Sequence, residues 1–107
     1  MSMYHSRPTV ADLRAMKARG QKISMLYVTN FEEAAAAAAA GISMLSIEGR
    51  FMSSEMREAA GDCFIQIGLP YGPFGYLVSA EDYLRAAVHV MRMGGDCFYC
   101  SASLDIQ

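Results

Sequence analysis

At 107 residues the chain suits one domain, and with 53% apolar and 19% charged residues it can bury a core, which excludes a disordered protein. A formal net charge of −2 with no local Lys/Arg cluster lacks the footprint of a nucleic-acid binder. No apolar run approaches the ~20 residues that span a bilayer, residues 1–10 lack the basic start and apolar core of a secretory signal, and three cysteines form an odd set suited to a reducing compartment; a cytoplasmic protein with neither nucleic-acid nor membrane partners is expected.

Residues 1–8 read as a polar, flexible leader to a single domain. Thr9 and Asp12 have the spacing of a capping box, and Val10, Leu13 and Met16 then fall on one face of a helix that Gly20 ends. Residues 22–28, KISMLYV, are apolar at nearly every position and predict a strand covered on both faces. Thr29 and Asn30 can cap the next segment, whose first turn carries Glu32 and Glu33 where the helix dipole favours negative charge. The alanine run 34–40 is a strong helix former, but methyl groups bury little area, so that helix needs a flat, close partner such as a sheet.

Residues 42–47 are the second predicted strand, and residues 53–60 allow about two helical turns before Gly61. The third strand, 63–69, runs into a loop rich in Pro, Gly and aromatics whose 70–76 part suits either a lid over a site or a connection packed on its own tyrosines. Ser79 and Asp82 form a second capping box, followed by an apolar stripe of Leu84, Ala87, Val88 and Met91 opposite Arg85, His89 and Arg92. Gly94 and Gly95 stop that helix, and residues 97–102 form a fourth strand.

Strict alternation of helix and strand implies parallel strands joined by right-handed crossovers, with ligands at the carboxyl ends of the strands. Glu48, the Gly68–Tyr71 corner and Ser101 all fall at such ends. Glu48 is either a ligand delivered by a buried strand or a charge that ends the strand and pairs with Arg50. Cys97 and Cys100 have redox or zinc spacing, but residues three apart in a strand face opposite ways, so two buried structural thiols are expected. A zinc set of Cys63, Cys97, Cys100 and His89 is opposed by the outward position of His89.

Six segments in order resemble the amino-terminal half of the ketopantoate hydroxymethyltransferase family: TVADLRAMKARG (9–20), TNF (29–31), GISML (41–45), CFIQIGLPY (63–71), SAEDYLRAA (79–87) and VMRMGGD (90–96). The resemblance implies half of a (β/α)8 TIM barrel, α/β in class, with four parallel strands. It further implies a C–C bond-forming one-carbon transfer from methylenetetrahydrofolate to a 2-oxo acid such as 2-oxoisovalerate, held by Mg²⁺. The family's metal-binding Asp-Ser pair falls on Glu48 and Gly49, its next Asp on Gly68, and its Lys and Glu of the fourth strand on Tyr99 and Ser101. By resemblance, then, Glu48 is the metal ligand, Gly49, Tyr99 and Ser101 border the substrate, and the catalytic base lies beyond the fourth strand, so no catalytic residue is assigned. Only 14 residues separate Glu48 from Cys63, fewer than in the family. Two other readings stand beside the enzyme: a binding or regulatory relative that has lost the metal site, and a half-barrel assembly module. Open strand edges predict a homo-oligomer or completion by a missing carboxyl-terminal half.

Overall fold

Capping decides where each helix begins. In the computed structural model, which describes residues 7–69 and 79–100, the Thr9 hydroxyl accepts from the Asp12 N–H at 3.2 Å while the Asp12 carboxylate accepts from the Thr9 N–H at 2.8 Å, which closes the expected box. Helix α1 (Val10–Ala18) follows. The same reciprocal pair between Ser79 and Asp82 starts α4 (Ala80–Arg92). Asn30 caps α2 (Phe31–Ala39), and Ser53 caps the short α3 (Ser54–Ala59).

Between them run β1 (Met25–Tyr27), β2 (Met44–Glu48), β3 (Phe64–Leu69) and β4 (Cys97–Cys100), with a 3₁₀ turn at Gly49–Phe51. The strands form one four-stranded sheet in the order β1-β2-β3-β4, every pair parallel. The α/β alternation is as expected. Gly41 holds φ at 82°, a left-handed turn that a side chain would strain, and so returns the chain from α2 to β2.

The core lies on one face of the sheet. Leu45, Ile47, Ile65 and Ile67 are at most 1% exposed and meet Ala34 and Ala37 of α2, Met56 of α3, and Ala86, Ala87 and Val90 of α4. Each of those strand side chains contributes about 1.5–3 kcal/mol by leaving water. The alanines explain themselves here: a helix with methyls on its inner face can approach the flat sheet closely. No described helix is long and apolar enough to cross a membrane.

Three expectations change. Strand β1 is not covered on both faces: Met25, Leu26 and Tyr27 are all exposed, because β1 is an edge strand whose one face is open and whose Leu26, on the other face, is only partly covered. The apolar stripe of α4 does not face the sheet as a unit. Tyr83, Ala86, Ala87 and Val90 are buried, while Leu84, Val88 and Met91 form an exposed flank. Helix α1 has no buried residue; Leu13 and Met16 are half-buried and Val10 is exposed. Of the expected leader, residues 1–6 lie outside the described residues, while the Arg7 guanidinium ion-pairs with Asp96 at 3.3 Å.

Candidate functional site

Strand register assembles the carboxyl ends of the strands. Glu48 of β2 stands level with Gly68 of β3, which stands level with Tyr99 of β4. Alternation along β2 puts Leu45 and Ile47 in the core, so Ser46 and Glu48 turn to the opposite face, where Tyr27 of β1 also points.

The Glu48 carboxylate is already engaged. The Tyr27 hydroxyl donates to Oε2 at 2.9 Å, and Arg50 donates to the same oxygen from Nε at 3.1 Å, with an Arg50 Nη2 ion-pair contact at 3.0 Å. The 3₁₀ turn begun by buried Gly49 brings Arg50 back over Glu48 and lays its guanidinium 4.7 Å from the Phe51 ring centre. Hydrogen bonding to Glu48, reinforced by burial and by the Glu48 charge, raises the Tyr27 hydroxyl above its ordinary value. The expected alternative, a strand-ending carboxylate paired with Arg50, is thus what the geometry displays.

Gly49 contributes backbone to this corner, its carbonyl accepting from the Met52 N–H at 3.2 Å. Tyr99 is half exposed, and a Cβ added at Gly68 would touch its ring at 3.4 Å. Ser101 and the 70–76 loop lie outside the described residues. A cavity of about 380 Å³ opens at the same end of the sheet, between the starts of α2 and α3, lined by Thr29, Phe31, Arg50, Phe51, Ser53 and Met56 among others.

These residues do not fit a magnesium site. Such an ion takes six hard oxygen donors, mostly charged or water, whereas the Glu48 carboxylate is capped by a guanidinium, and the residues level with it in the sheet are Gly68 and Tyr99. Among the described residues no group of three or more His, Cys, Asp or Glu could hold a metal ion. Of the zinc set that the sequence reading opposed, Cys63 is buried and donates to the Ile42 carbonyl at 3.1 Å, Cys97 is half-buried, and His89 is exposed on α4. Burial foremost raises the thiols of Cys63 and Cys97, which keeps them protonated and unreactive. The Cys100 side chain lies outside the described residues.

A second charged cluster, at the amino ends of the strands, had no local signature. Arg57 of α3 donates to Asp96 Oδ2 at 3.0 Å, to the Gly94 carbonyl at 3.1 Å and to the Gly61 carbonyl at 2.6 Å, and it also reaches the Cys63 carbonyl. Asp96 Oδ2 accepts from the Ile65 N–H at 2.9 Å as well. Arg57 and Asp96 are each 15% exposed in side chain. Burial first, then the Arg7 charge, lowers the Arg57 guanidinium below its ordinary value against the opposing pull of Asp96. The signals present in the sequence were the glycine pair before Asp96 and one arginine in a two-turn helix; they are 39 residues apart.

Compared with models of known protein families and with curated proteins, the chain matches none.

Proposed function

We propose that this chain is a half-barrel relative of the ketopantoate hydroxymethyltransferase family that recognises a small 2-oxo acid or related carboxylate through Arg50, beside a Glu48 that Tyr27 also holds, without a divalent ion. The observation that carries the reading is the engagement of Glu48 by Arg50 and Tyr27 in place of a set of oxygen ligands. Glu48 and Phe51 hold a guanidinium that is itself 57% exposed beside the cavity at the strand ends. A guanidinium has five N–H donors in a fixed plane, so one edge can bind Glu48 while another meets a planar carboxylate. Because Glu48 offsets the charge of Arg50, affinity rests on hydrogen-bond geometry, and a dissociation constant on the order of 1 mM is expected. No step through a divalent ion or a folate is derived, since the donors do not suit the ion.

Titration calorimetry with 2-oxoisovalerate, with and without Mg²⁺, tests this. Heat of binding is expected without the ion and is expected to vanish in Arg50→Ala. Binding that requires Mg²⁺ would return the chain to the enzyme reading, and no binding under either condition would overturn recognition of the oxo acid.

A further inference from the structure

The cavity of about 380 Å³ at the carboxyl ends of the strands carries both signs of charge above an apolar floor. Met56 and Met52, 1% and 6% exposed, line its buried part, with half-buried Phe51 and the exposed Phe31 beside them. That volume, at the low end of the ~300–1,000 Å³ of ligand pockets, suits a small molecule. Among the described residues its charged lining is Arg50 and Glu32. Arg50 uses Nε and Nη2 on Glu48 Oε2, which leaves the N–H donors of Nη1 and the second N–H of Nη2 as an open edge. Glu33 is folded back on its own helix start, accepting from the Thr29 N–H at 2.7 Å and from the Thr29 hydroxyl at 3.1 Å. Glu32, one residue earlier, lines the cavity and is exposed.

This charge arrangement disfavours a ligand that is only an anion. The Glu33 and Met56 N–H groups at the two helix starts framing the cavity are already taken by Asn30 and Ser53, so they offer an anion little. Glu48 offsets the charge of Arg50, and Glu32 then leaves the mouth net negative. A 2-oxo oxygen is an acceptor and gains nothing from Glu32, whereas an ammonium brings three donors and a positive charge. We infer that the cavity takes a zwitterionic α-amino acid with an apolar side chain: its carboxylate on the open edge of Arg50, its ammonium toward Glu32, its side chain over Met52, Met56 and Phe51. The inference rests on carboxylate recognition by Arg50 and names the carboxylate that is preferred.

Titration calorimetry at pH 7 compares L-valine with 2-oxoisovalerate, which share a carbon skeleton and differ at C2 in carrying an amino or an oxo group. Valine is expected to bind about fivefold more tightly, the gain of one solvent-exposed ion pair. Glu32→Gln is expected to bring valine down to the level of 2-oxoisovalerate without weakening the oxo acid, and with unchanged circular dichroism because Glu32 is exposed. Leucine is expected to bind about tenfold or more above alanine through the apolar floor. Valine binding no tighter than 2-oxoisovalerate would overturn the inference and leave carboxylate recognition standing. A valine preference that survives Glu32→Gln would overturn the role of Glu32, and equal binding of leucine and alanine would overturn that of the floor. Binding of neither valine nor 2-oxoisovalerate would overturn carboxylate recognition itself, and the inference with it.

Discussion

Two arginine–carboxylate pairs sit at opposite ends of the same sheet and do different work. At the amino ends, Arg57 and Asp96 come from distant points of the chain and close a network with three carbonyls and the Ile65 N–H in a mostly buried setting. At the carboxyl ends, Glu48 and Arg50 are two residues apart, and the arginine stands largely in water. A buried pair with every partner satisfied locks the α3 terminus, the β3 start and the approach to β4 into one arrangement, and losing one member strands the other. A local pair whose arginine is largely solvated adds less, with Glu48 itself 17% exposed in side chain and still held by Tyr27 if Arg50 is lost, but it sets a guanidinium at a mouth where ligands are expected.

The largest effect should come from breaking the inner pair. Arg57→Ala is expected to cost about 3 kcal/mol, since Asp96 would keep only its other partners in a poorly hydrated place; the urea midpoint measures this, and an unchanged midpoint would erase the distinction between the two ends. Next comes Gly94→Ala. Gly94 holds φ at 107°, and an added Cβ would meet Arg57 Cγ and Cδ at 2.6 Å, so the substitution strains the backbone and displaces the same arginine; a loss of about 2 kcal/mol is expected in the same assay.

The smallest effect belongs to the outer cluster. Tyr27 has its hydroxyl pKa raised above the ordinary tyrosine value, chiefly because the neutral hydroxyl donates to Glu48. Its contribution to stability is therefore fully present below the unfolded value and is lost as pH rises through the higher folded one. Glu48→Gln should bring the Tyr27 ionisation, followed by tyrosinate absorbance, back toward the ordinary range with little change in thermal stability. An ionisation that does not move would mean that the contact is not made in solution.

The contrast also shows what could be read ahead of the structure. Both capping boxes and the helix-ending glycines were legible because their physics is local, within a few residues. The Glu48–Arg50 pairing was legible as one of two alternatives for the same reason. The Arg57–Asp96 network was not, because nothing within α3 or the 94–96 turn signals a partner 39 residues away. Periodicity placed Leu84, Val88 and Met91 correctly on one side of α4, yet it could not say which of two adjacent apolar arcs meets the sheet. The buried arc has small residues, Ala86 and Ala87, that let the helix approach, while the bulkier arc points away from its own core. The surroundings of Glu48 were not legible: a strand-end carboxylate looks the same in sequence whether oxygens or a guanidinium surround it, and here a guanidinium and a phenol do.

The most direct test of this division of labour sets Arg50→Ala beside the parent chain in one pair of measurements, affinity for 2-oxoisovalerate in the absence of Mg²⁺ and the midpoint of urea unfolding. The account predicts that Arg50→Ala loses binding while its unfolding midpoint stays within the small change typical of an exposed pair. An Arg50→Ala protein that binds the oxo acid as well as the parent, or that unfolds as readily as Arg57→Ala, would contradict it.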